Sequence, residues 1–201
     1  MGRKLSSYQD WHIPFTRADI TLQMALDSLS EVRREAKVDS PLMVKLAEAP
    51  MLRSSGLKIF SGQMNLYQHD CIQILLGRGL HDMDEAFTAG FAMGSSKKVT
   101  DSEHSLYAFI AKHIYPDVYK FTDHELSLFK DAIRLAYISN CSPLDKFQFD
   151  EWLDQPIGII RDAVGIEADL ILAYYGVEQR KYPQFITSQR LLPAKLKVVS
   201  L

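Results

Sequence analysis

Cysteine is scarce in this chain: Cys71 and Cys141 are the only two, with no CxxC spacing and no zinc-finger companions. The two thiols read as buried groups in a reducing compartment, in preference to a disulfide, and the spacing offers no thiolate zinc site. Positive charge is not in excess either. With 23 Lys and Arg against 25 Asp and Glu, the net charge is -2, whereas phosphate binding needs a strong positive field. Nucleic acid is therefore excluded as the main partner, and the one basic cluster is the C-terminal Arg180, Lys181, Arg190, Lys195 and Lys197. No apolar run reaches transmembrane length. The opening MGRKLSSYQDWHIPF has no apolar signal core, and its Asp10 argues against a mitochondrial presequence, so the expected location is cytoplasmic, with peripheral membrane contact left open. There is no P-loop, no GxGxxG and no GxSxG, and no run alternates as a strand would.

What is present is helical punctuation. An apolar fraction of 47% over 201 residues supplies one domain with a large core. Thr16-Arg-Ala-Asp19 leads into ITLQMALDSLSEV, where Met24, Ala25, Leu26, Leu29 and Val32 recur at helical spacing. Ser40-Pro41 opens a second helix and Pro50 ends it. Ser61 opens a third, carrying Leu66, Ile72, Leu75 and Leu76 toward the core, and His81 or Asp82 begins a fourth whose Ala89, Gly90, Ala92 and Gly94 suit close packing. Capping boxes at Thr100-Asp-Ser-Glu103 and Thr122-Asp-His-Glu125 announce two more helices. Ser142-Pro143 breaks the chain, Pro156 splits two short helices, and residues 167 to 178 add a turn or two. The expectation is an all-α, multi-helix bundle over residues 1 to 181, with a helical hairpin at 62–95 and an irregular tail at 182–201.

The stretch LYQHDCIQILLGRGLHDMDEA, residues 66 to 86, concentrates the polar chemistry. His69 and Gln73 are four apart and share a helical face, with Asp70 about 100° round from His69. A straight helix would carry Glu85 roughly 24 Å from His69, too far for one metal ion with bonds near 2 Å. Gly77-Arg-Gly79 is where the chain reverses cheaply, because glycine accepts the left-handed backbone that ends a helix. The resulting hairpin brings His69, Asp70, Gln73 and Glu85 across from one another, a mixture suited to zinc, iron or manganese with an open position.

This pattern, HDxxQ-ILLGRG-x5-E from His69 to Glu85, resembles the signature of a coenzyme Q biosynthesis family, the fourth of the Coq proteins. That family carries a His-Asp pair, a second His three residues after the Asp, and a Glu after eleven more residues; Leu75, Gly77 and Gly79 match its intervening L-x-G-x-G. Residues 132 to 166, AIRLAYISNCSPLDKFQFDEWLDQPIGIIRDAVGI, are similar to the family's C-terminal end through Trp152, Pro156, Arg161 and Gly165-Ile166. The resemblance implies an all-helical, membrane-associated protein that holds a divalent metal, zinc first, and acts on prenylated quinone precursors by oxidative removal of a ring carboxyl. It gives His69, Asp70 and Glu85 three of the four metal-binding roles. Gln73 stands where the family has histidine, and an amide oxygen is a weaker donor to zinc than imidazole; the ion is then held loosely, replaced by a different ion or water, or lost with the chemistry. His81, four before Glu85, is a candidate replacement.

Plainer readings stand beside these. His69 and Asp70 are also what a polar pair on a half-buried helix looks like, and Glu85 what a helix N-terminus attracts. His81 and Asp82 read as caps, and His104, His113 and His124 as surface or capping groups. The HD doublet also brings a phosphohydrolase to mind, but His12 is the only histidine upstream. A non-catalytic alternative is a helical protein cradling a quinone precursor or another lipid-like molecule, with residues 69 to 85 at the head group. The helix around MALDSLSEV and the tail LLPAKLKVV are candidates for a membrane surface, the tail also for docking a second copy.

Overall fold

The computed structural model describes residues 8–36, 64–98 and 121–192. Among them are seven α-helices and no strand; the second helix and the Thr100 capping box lie outside the described residues. The fold is all-α. Helix α1 runs Leu22–Ala36 and buries Leu22, Ala25 and Leu29. It starts later than Thr16–Asp19: Arg17 and Asp19 pair with each other in the preceding loop at 2.9 Å, and the Thr21 hydroxyl accepts from the Met24 amide instead. Its apolar stripe faces the core, while Met24 points outward.

Helix α2, Leu66–Leu75, is opened by Asn65, whose side chain accepts from the Gln68 amide while Gln68 reaches back to the Asn65 amide. That capping box sets the start of this helix; Ser61 lies outside the described residues. The helix stops in a Schellman motif. Gly77 at φ 67° donates to the Ile74 carbonyl, and the Arg78 amide donates to Gln73 O, both at 3.0 Å. The chain then turns into α3, Asp82–Ser95.

Helix α3 packs most extensively on α4, Asp123–Ile138, and the small residues explain how. A Cβ at Gly90 would sit 2.4 Å from Phe129 O, and one at Gly94 would sit 2.3 Å from Ile133 O. Two glycines four apart thus meet two carbonyls four apart, backbone on backbone. The capping box at Thr122 is formed, with the Glu125 carboxylate accepting from the Thr122 amide at 2.5 Å.

After 3-10 turns at Leu144–Lys146 and Phe149–Trp152 come α5, Ile157–Val164, which starts after Pro156, and α6, Ala168–Lys181. Helix α6 extends well past the turn or two expected. The segment from Tyr182, expected as an irregular tail, holds a short helix α7, Ile186–Gln189, and buries Thr187, Ser188 and Leu191; residues 193–201 lie outside the described residues. Arg161 of α5 pins the hairpin from below: it is buried, stacks 3.7 Å over Phe15, and donates to Leu75 O at 2.7 Å and Phe15 O at 2.6 Å. Its charge thereby meets the negative end of α2. No helix among the described residues is long and apolar enough to cross a membrane.

Candidate functional site

The Schellman turn sets the inner face of α2 against the first turn of α3. His69 Nε2 lies 3.0 Å from Glu85 Oε2. Gln73 Nε2 donates to Glu85 Oε1 at 2.9 Å and, in a shorter contact, to the Gly79 carbonyl. Asp70 is beside the other edge of the ring, its Oδ1 3.6 Å from His69 Nδ1. It faces α1, where Arg33 grips both of its oxygens at 2.5 and 2.8 Å. His69 and Gln73 are fully buried, and the Asp70 and Glu85 side chains keep only 10% and 12% exposure. Water therefore screens this array weakly.

From α1 across to α3 the charges alternate: Arg33, Asp70, His69, Glu85. Burial by itself would push the His69 pKa down, but Glu85 and Asp70 outweigh it and raise it from 6.5 to about 10. Burial would likewise favour a neutral Asp70, yet His69 and Arg33 hold its carboxyl below the ordinary range. Asp82 goes the other way, pushed up by burial and by the Glu125 and Glu85 carboxylates.

The orientation of Gln73 is set by chemistry. The Gly79 carbonyl accepts hydrogen bonds only, so the amide turns its NH2 toward it and toward Glu85 Oε1 beside it. Its Oε1 then points away from Glu85 and has no hydrogen-bond partner. Neither ring nitrogen of His69 nor Glu85 Oε2 has an aligned hydrogen bond; the His69–Glu85 contact is an ion pair held off the hydrogen-bonding line.

The structure thus brings His69, Gln73 and Glu85 together and leaves Asp70 on the far edge of the imidazole. An ion at His69 Nε2 would find Glu85 Oε2 but not Asp70, and Gln73 would present hydrogens to it. As arranged, the donors do not fit a divalent cation, and among the described residues no three His, Cys, Asp or Glu side chains form a group that could hold one. His81 does not supply the missing imidazole: its Nε2 is 3.6 Å from Asp10 Oδ1, at the N-cap position of α3. His12 pairs through its backbone with Gly79.

A second buried array holds the turn itself. Arg78 is completely buried, forms a two-point ion pair with Glu178 of α6 at 2.9 and 2.6 Å, and lies between the Phe87 and Tyr175 rings at 3.7 and 4.5 Å. Asp84 stands 3.8 Å from Arg78 and 2.6 Å from Arg190, and Ser188 donates to Glu178 at 3.0 Å. Neither Arg33 nor this cluster is visible as a site in the sequence, because Arg33–Asp70, Arg78–Glu178 and Arg190–Asp84 pair across 37, 100 and 106 residues. Comparison with protein-family models, curated proteins and solved structures finds no match to the chain.

Proposed function

We propose that this chain is a non-catalytic relative of the coenzyme Q biosynthesis proteins, a binding or scaffold protein for a prenylated quinone precursor or a similar lipid-like molecule. In it, the position of the family's metal is filled by the protein's own hydrogen-bond donors and charges. The observation that carries this reading is Gln73: where the family pattern has an imidazole donor, this side chain turns its N–H bonds onto Glu85 and Gly79. The ligand class rests on the two sequence blocks that resemble the family, residues 69–85 and 132–166.

The test is metal analysis and mass spectrometry of organic extracts on one native, tag-free preparation. Expected is co-purifying apolar ligand with zinc, iron and manganese far below stoichiometric. Stoichiometric metal that disappears in Glu85→Ala would favour the catalytic reading instead. Absence of any apolar ligand, together with no binding of an added prenylated quinone, would remove the binding reading.

A further inference from the structure

We infer that Arg33 helps to exclude a divalent cation from this site, beside Gln73: its guanidinium is a built-in cation that holds both oxygens of Asp70 and keeps it from serving as a ligand. The inference rests on the metal-free reading above and names what enforces it.

Three of the groups around His69 could contribute to holding an ion, and the structure disposes of them differently. Glu85 has one oxygen capped by Gln73 and one left beside His69 Nε2. Gln73 has its oxygen turned away. Asp70 has both oxygens taken by one guanidinium in the two-point geometry that arginine gives a carboxylate. Restoring an imidazole at 73 repairs only one of these deficits. Asp70 would remain bonded and neutralised, and an arriving dication would meet a fixed positive charge in a poorly screened pocket. Arg33 belongs to the last turn of α1, and its side chain is only 17% exposed, so it does not swing aside freely into water. The ion pair thus also joins α1 to the hairpin.

The experiment compares zinc binding by calorimetry, and cobalt(II) binding by its ligand-field absorption, in tag-free wild type, Gln73→His, Arg33→Met, and Arg33→Met combined with Gln73→His. Circular dichroism checks the fold of each. Expected is no stoichiometric binding in wild type, weak binding in Gln73→His, and a gain of at least about tenfold when Arg33 is also removed, the scale seen when a group adjoining a metal ligand changes. Arg33→Lys with Gln73→His should behave like Gln73→His alone, because the cation stays. If Arg33→Met does not fold, Arg33→Gln keeps the volume and a donor while removing the charge, and the same gain is expected. Stoichiometric metal in wild type that is lost in Glu85→Ala overturns the metal-free reading. An empty wild type with no gain on removing Arg33, whether Gln73→His already binds tightly or the double variant stays empty, overturns the role of Arg33 alone.

Discussion

Replacing Arg78 with methionine is expected to lower folding stability by roughly 3–5 kcal/mol, the cost of breaking a buried ion pair by removing one partner. The size follows from what remains. Glu178 is completely buried and would keep only the Ser188 hydroxyl, while Asp84 would keep Arg190. Two aromatic contacts to the guanidinium would go as well. Because the loss is one of an uncompensated charge, Arg78→Met combined with Glu178→Leu should recover a large part of it. Urea denaturation decides this, through a lower midpoint at unchanged slope. A loss below about 1 kcal/mol, the range of an exposed pair, would mean that the network is not buried as described.

The second large effect concerns the α3–α4 seam. Gly94→Ala should destabilise by about 1–2 kcal/mol, although alanine is the better helix former by about 1 kcal/mol. The added methyl would meet the Ile133 carbonyl at 2.3 Å, and a backbone atom inside a helix cannot step aside. Gly176→Ala in α6 is the control: its nearest neighbours would be side-chain atoms of Arg180 and Leu192 at 3.7 and 3.8 Å, an ordinary contact. That variant should gain about 0.5–1 kcal/mol. Opposite signs for one substitution in two helices distinguish packing from propensity; equal signs would contradict the close approach.

The parts of this fold that were legible in the sequence are those decided within a few residues. The turn at Gly77, the capping box at Thr122–Glu125 and the break at Pro156 are local events, set by backbone freedom, orphan amides and a missing N–H. The gathering of His69, Gln73 and Glu85 followed from the same turn, because reversing the chain there leaves few alternatives. The start of α1 was less legible: Thr21 takes the capping role expected of Thr16–Asp19, and the Leu22 and Gln23 amides donate to the distant Gln155 and Leu153 carbonyls. That Asp70 lies about 100° round from His69 was legible, but what it faces was not. It depends on Arg33, 37 residues upstream on another helix, and nothing in the spacing of HDxxQ announces that partner. Residues 182–192 were misjudged for a related reason: two prolines suggested irregularity, whereas Ser188 and Arg190 are held by carboxylates on α6 and α3.

The metal-free reading of the site also places His69 as a cation between two carboxylates, Glu85 3.0 Å from Nε2 and Asp70 3.6 Å from Nδ1, rather than as a neutral metal ligand. Nitrogen-15 NMR of the imidazole, assigned by comparison with His69→Gln, tests this most directly. The ring of His69 should show both nitrogens protonated at pH 7 and stay so until the pH nears its raised pKa of about 10. A neutral His69 ring at pH 7, titrating near the ordinary 6.5 or fixed as a single tautomer with metal present, would contradict the account.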